Sequence, residues 1–243
     1  MSIESAAANI LKRGIELDTN KRYTEALVCY QEGLQILVDK IKDVPDEETK
    51  VYLRKKVEEY MNRAESIKKI VSKQKEQGQF HEQVQILDNS RGHSYKTLFG
   101  RFLDEHVEYV IVEEPYIKNF HQCHNFLHLC ELLVKSCNNL RHIELVTCKN
   151  TGVDKVQQNG LQSILIDLND KYKVELIIKY SETLHDRQII LSSGWIIKIG
   201  RGLNYFKGLN DKFCLGIHDL DLRQCYETTV DILHSKNIKK SYG

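Results

Sequence analysis

Two prolines in 243 residues leave no proline-rich linker to look for. The formal net charge is only +1, so the whole chain lacks the basic surface of a dedicated nucleic-acid binder. No apolar run approaches the ~20 residues that span a bilayer, which makes any membrane role peripheral. The opening MSIESAAANILKRG has neither the basic start nor the apolar core of a secretory signal. The seven cysteines are odd in number, scattered, and without a C-x-x-C pair. They read as reduced cytosolic thiols, mostly small buried apolar groups.

What is present is ordinary for a globular protein: 28% charged and 41% hydrophobic residues. The length suits one large domain or two small ones. Two grammars divide it. Residues 1 to 76 read as helix throughout. Ile3, Ala7, Ile10, Leu11, Gly14 and Leu17 share a first face. DTNKRY breaks that helix, and Asp18, Thr19 or Asn20 offers a cap for the next. Ala26, Leu27, Tyr30, Leu34, Leu37 and Ile41 form a second stripe. Pro45 and Asp46 stop it and start a third helix from about Glu47 to Glu76. Its stripe is Leu53, Val57, Tyr60, Ala64, Ile67 and Val71. Short connections make an up-down-up all-α three-helix bundle.

The elements RYTEALVCYQEGLQIL and VEEYMNRAESIKK resemble helices two and three of an MIT domain, the microtubule-interacting and trafficking module. A tetratricopeptide array shares the Tyr-x-x-Ala-Leu-x-x-Tyr element but repeats it after ~34 residues, and no repeat occurs here. Met61 stands one position past Tyr60, at the shoulder of the third stripe. Val57 precedes Met61 by four residues and Glu65 follows it by four, so all three share a face. An apolar anchor beside a carboxylate suits an amphipathic partner helix carrying leucines and a basic residue. The resemblance implies that this groove takes the C-terminal tails of ESCRT-III subunits, with Met61 as anchor and Glu65 as counter-charge. Asn62 departs from the family, where aspartate is common, and that bears on affinity or subunit preference.

KQKEQGQF marks a boundary, and residues 77–89 are expected as a linker. From about Ser90 short β-branched runs alternate with helical ones, which implies parallel strands covered by helices. RQIILSS and GWIIKIG read as a hairpin turning at Ser193-Gly194, and DLRQCYETTVDILHSK as a final helix. Within this half His185 precedes Arg187 by two residues. Ser192 follows five later, and then Gly200-Arg201-Gly202-Leu203-Asn204. The set resembles the phospholipase D pattern of His-x-Lys-(four residues)-Asp with a later Gly-Ser-x-Asn-like segment. Residues 90–243 are accordingly expected as an α/β phospholipase D-like mixed sheet flanked by helices. In that family the His attacks phosphorus, the Lys steadies phosphate oxygens, and a second copy supplies the acid. Here Arg replaces Lys, Ser192 stands in the Asp place, and the motif occurs once. Serine brings no charge to orient a nucleophilic imidazole. The expectation is no catalysis, with phosphate binding by Arg187 retained. The opposed expectation is a dimeric phosphodiesterase using His185.

Lys198, Arg201, Lys207 and Lys212 lie between Trp195 and Lys212 against Asp211 alone, interleaved with Tyr205 and Phe206. Cations with aromatics suit an anionic membrane. Each cation contributes about 1 kcal/mol there, so two copies on one membrane gain by avidity. The family resemblance implies binding to acidic phospholipids or phosphoinositides, a homodimer through the C-terminal domain, and a part in cytokinetic abscission at the midbody and endosomal membranes. Nucleic acid is not expected as a partner, and no cofactor is implied. The cluster His121, Cys123, His124, His128 and Cys130 invites a metal, but no carboxylate completes H-E-x-x-H and the cysteine spacing matches no zinc pattern. It reads as an amphipathic helix with surface histidines and core cysteines.

Overall fold

In a computed structural model, residues 3–78, 80–149, 155–209 and 214–235 are described. The chain divides into two compact units, Met1–Phe80 and His81–Gly243. The first holds α1 (Ile3–Thr19), α2 (Tyr23–Ile41) and α3 (Glu47–Glu76). Asp46 caps α3 by accepting from the Thr49 N–H at 2.8 Å. The cap expected for α2 is absent, since Arg22 occupies that position and its side chain donates to Glu25 without capping the helix. The residues expected there serve α1 instead. Thr19 and Asn20 donate back to the Ile15 and Glu16 carbonyls. Asp18 is engaged by α3, where Arg63 donates to both its oxygens at 2.6 and 2.7 Å. Those bonds hold the Asp18 carboxyl below its usual range despite partial burial. Ala7, Leu11, Leu17, Ala26, Tyr30, Ala64, Ile67 and Val71 fill the core. A Cβ on Gly33 would stand 2.6 Å from Leu11 Cγ, so glycine is what lets α1 and α2 approach.

The second unit is a seven-stranded sheet with order β1-β7-β6-β5-β2-β3-β4. The strands are β1 (His81–Ile86), β2 (Tyr109–Glu113), β3 (His142–Thr147), β4 (Glu175–Tyr180), β5 (Gln188–Leu191), β6 (Trp195–Ile199) and β7 (Thr228–His234). Strands β2, β3 and β4 run parallel, and the other pairs are antiparallel. The short α4 (Tyr95–Phe99) precedes β2, α5 (Phe120–Ser136) carries the chain from β2 to β3, and α6 (Val156–Tyr172) from β3 to β4. The β5–β6 hairpin turns at Ser193-Gly194 as expected.

Two expectations are corrected. The segment 77–89 contains β1, whose Glu82, Val84 and Ile86 face inward while His81, Gln83 and Gln85 face water. The unit therefore begins at His81. The final helix is instead β7, where Thr228, Val230 and Ile232 alternate with more exposed neighbours. β-branched residues at period two favour a strand over the helical period.

Candidate functional site

On α3, Met61 is half exposed and Glu65 exposed, with Val57 partly buried one turn before. Val51 and Tyr52 are also exposed at the start of α3, on other faces of the helix. The row Val57–Met61–Glu65 thus stands on the outside of the bundle. Asn62 is exposed, and its carbonyl accepts from the Ser66 hydroxyl at 2.9 Å.

In the sheet unit the motif residues separate. His185 lies exposed in the connection before β5. Ser192 lies beyond the other end of that strand, which at about 3.3 Å per residue sets them more than ~13 Å apart. Ser192 Oγ accepts from the backbone N–H groups of Glu108 (2.8 Å) and Tyr109 (3.3 Å). It therefore tethers the start of β2 and does not orient the imidazole. This corrects the expectation that an acid lost at Ser192 is what disarms His185.

Arg187 is already engaged. Its Nη1 donates to the Gly200 carbonyl at 2.6 Å, and its guanidinium lies 4.9 Å from the Tyr116 ring centre. Beside it is Glu114, which the sequence reading passed over. Glu114 is 1% exposed. Its two oxygens accept from the N–H groups of Leu203 (2.7 Å) and Tyr116 (3.2 Å). Burial raises the Glu114 pKa, while those N–H groups and Arg187 pull it down. A small pocket lined by Glu113, Glu114, Arg187, Gln188 and Gly202 remains here. Gln188 donates to Glu113 Oε2 at 2.6 Å. The Gly200–Asn204 segment, echoing the family's glycine segment, is thereby folded onto Glu114 and Arg187.

The aromatic half of the expected membrane patch is in the core. Trp195 is 6% exposed and packs 4.2 Å from Phe102 between ring centres. Tyr205 is fully buried and donates to the His93 carbonyl at 2.8 Å. Phe206 packs on both Tyr205 and Tyr95. The cations differ among themselves. Lys198 is exposed on β6 opposite Asp231. Arg201 is exposed, with its guanidinium 4.8 Å from the Tyr226 ring centre and Nε on the Glu227 carbonyl. Lys207 is bound to Asp88 at 2.8 Å and to Asn89. Lys212 and Asp211 lie outside the described residues.

On α5, Cys123 and Cys130 are buried, and the row His121, His124, His128 is more open. No group of three metal-capable side chains converges among the described residues. Nor is any helix long and apolar enough to cross a membrane.

A three-helix bundle followed by a mixed sheet with one altered phospholipase D-like motif defines a class of two-domain proteins. Residues 4–69 match the MIT (microtubule interacting and transport) domain, and residues 92–234 match the phospholipase D-like domain at the C-terminus of MIT. The chain is 47% identical over 240 residues to MIT domain-containing protein 1 of Mus musculus, covering 98% of this chain and 96% of the relative. It belongs to the family of MIT domain-containing proteins that end in a phospholipase D-like domain.

Proposed function

We propose that this protein is a non-enzymatic adaptor. Its helical unit binds the C-terminal helices of ESCRT-III subunits, and its phospholipase D-like unit binds acidic phospholipid and pairs with a second copy. The process it serves is cytokinetic abscission, at the midbody and on endosomal membranes. The observation that carries the reading is the half-exposed Met61, flanked at helical spacing by Val57 and Glu65 on a bundle of the MIT family. An uncovered apolar side chain beside a carboxylate is the anchor an amphipathic helix requires.

Met61→Asp tests it. Desolvating a new charge at the centre of the contact costs several kcal/mol, enough to take a micromolar complex out of measurable range. Binding of ESCRT-III tail peptides, followed by fluorescence anisotropy, is expected to disappear while helical circular dichroism stays unchanged. Retained binding would remove this groove from the account.

The absence of catalysis is supported by the same region of the sheet unit. Arg187, in the place of the family's lysine, is committed to the Gly200 carbonyl. No turnover of a phosphodiester lipid is expected. Turnover that vanishes in His185→Ala would replace the adaptor with a phosphodiesterase.

With Trp195, Tyr205 and Phe206 in the core, membrane contact rests on charge. Sedimentation with phosphatidylserine vesicles is expected to fall steeply as salt shortens the screening length from about 10 Å at 0.1 M to about 3 Å at 1 M. Binding that resists salt would point to inserted apolar groups instead.

A further inference from the structure

A second cleft lies between the N-terminal turns of α5 and the segments 204–209 and 217–226. Its volume is about 770 Å³, within the range of small-molecule sites. Arg223, His121, His124, His218 and Lys207 line it, with no carboxylate among the described lining residues. Lys207 is neutralised by Asp88. Arg223 is not neutralised in this way. Its Nε and Nη2 donate to the carbonyls of Gly216 (2.9 Å) and Ile217 (3.2 Å), which are neutral. Those bonds fix the guanidinium, and among the described residues no carboxylate pairs with it. Burial pushes the Arg223 pKa down, the direction of a cation short of a counter-ion.

We infer that this cleft binds a phosphodiester anion of the phospholipid headgroup type, with Arg223 as its permanent cation and the rings of His121, His124 and His218 around it. The inference rests on the acidic-phospholipid reading above and gives it a site. Asn125 and Asn204, joined by a hydrogen bond from the Asn125 amide at 2.9 Å, add amide groups to the lining. Phe120, 66% exposed, supplies an apolar wall. The start of a 17-residue helix adds positive potential.

The histidines give the site a signature. Burial, His128 and Arg223 depress the His124 pKa below the ordinary histidine range, with a smaller push from His121. Glu131 on the same helix, paired with His128 at 3.1 Å, pulls the other way. Lys207 on the facing segment is held by Asp88, and His218 is exposed. His124 is therefore neutral at pH 7 in the empty cleft. An anion beside it favours the protonated form, so the site takes up a proton on binding and tightens as pH falls toward 6 and below. A phosphodiester has no proton to gain in that range, so the dependence belongs to the protein.

The experiment is a histidine-ring NMR titration of the full chain with soluble glycerophosphoinositol at pH 5.8 and 7.4. Saturable shifts of His121, His124 and His218, about tenfold tighter at the lower pH, are expected. His124→Gln should flatten the pH dependence, His218→Gln should weaken binding, and Arg223→Gln should weaken it about tenfold or more at both pH values. Shifts confined to other histidines, or none, overturn the site. Fluorescence of Trp195, the single tryptophan, checks that each variant is folded. If Arg223→Gln unfolds, Arg223→Lys is expected to retain binding, and the exposed His218→Gln decides. Phosphatidylcholine vesicles carrying phosphatidylinositol or phosphatidylserine separate the sources. Wild-type vesicle binding by all the variants, with no effect of the soluble headgroup, rejects the cleft and keeps the membrane reading. Headgroup binding without vesicle binding keeps the cleft and rejects the membrane.

Discussion

Gly202→Ala is expected to lower the stability of the sheet unit by about 3 kcal/mol or more, a fall of roughly 10 °C in its melting temperature. Two effects add. The backbone at Gly202 has φ +62°, which side chains rarely adopt. A Cβ there would also overlap Glu114 Oε2, and would lie 2.8 Å from Glu114 Cδ and 3.0 Å from Arg187 Cδ. Glu114 cannot retreat freely, because its oxygens hold the Leu203 and Tyr116 N–H groups. The buried Trp195 reports this unit alone, so thermal unfolding by tryptophan fluorescence isolates the effect. Gly208→Ala is the internal control. Nothing lies within 4 Å of its Cβ, and the change is expected within about 0.5 kcal/mol. Glu114→Ala removes the clash but strands two N–H groups. The double variant should therefore lose less than the sum of the two single losses. Strict additivity would show that Gly202 and Glu114 do not share a site.

The same residues show why the sequence reveals some of this region and hides the rest. His185, Arg187 and Gly200–Asn204 are close in sequence, so a motif could find them. Glu114 sits in VEYVIVEEPYI, which reads as a strand and carries no motif. Its burial depends on an N–H contributed 89 residues later, by Leu203. The histidines of α5 stand out at helical spacing and read as surface residues once a metal is set aside. The residue that alters their meaning, Arg223, arrives about 100 positions on. Ser192 misled for the opposite reason. Its place in the motif was legible, but the strand between it and His185 makes the spacing a distance. The aromatic-and-basic run from Trp195 to Lys207 misled in the same way, because period-two burial along β6 takes Trp195 inward and leaves Lys198 out.

The bundle was read almost completely because each helix carries its own period, and Pro45-Asp46 marks the third start. Met61 was placed by spacing alone, one residue off the core stripe, and its half exposure follows from that geometry. The α1–α2 turn differed, and so did the face of α2, where Thr24, Cys29 and Gly33 are buried with Ala26 and Tyr30 while Leu27, Leu34, Leu37 and Ile41 are half-buried. Asp18 could cap locally or reach Arg63, and the distant partner prevails because it adds two charge-assisted bonds. Local sequence cannot rank a cap against a partner 45 residues away.

A chain that starts at residue 90 is expected to lose the sheet unit, whereas one that starts at His81 is expected to fold. Six residues decide it. HEQVQI looks like linker because four of its residues are polar, yet as β1 it pairs with β7 from His81↔Leu233 to Ile86↔Thr228. Ile86 is wholly buried, Val84 is 7% exposed, and Glu82 reaches Arg101 under the sheet edge. Burying the two aliphatic side chains contributes about 1.5–3 kcal/mol each. The ladder hydrogen bonds add about 1 kcal/mol each. The sum rivals the 5–15 kcal/mol that a whole domain commands, and the shortened chain would also bare β7 as an unprotected edge. Size-exclusion chromatography should show aggregate for residues 90–243 and a soluble species for residues 81–243, with Trp195 fluorescence quenched from its buried state only in the first. Within the full chain, Ile86→Ala should cost about 2–5 kcal/mol in the tryptophan-detected transition. A folded, soluble 90–243 would demote β1 to an ornament of the sheet. A destabilised Ile86→Ala beside it would then have to be explained by strain within the retained strand, and not by loss of the edge.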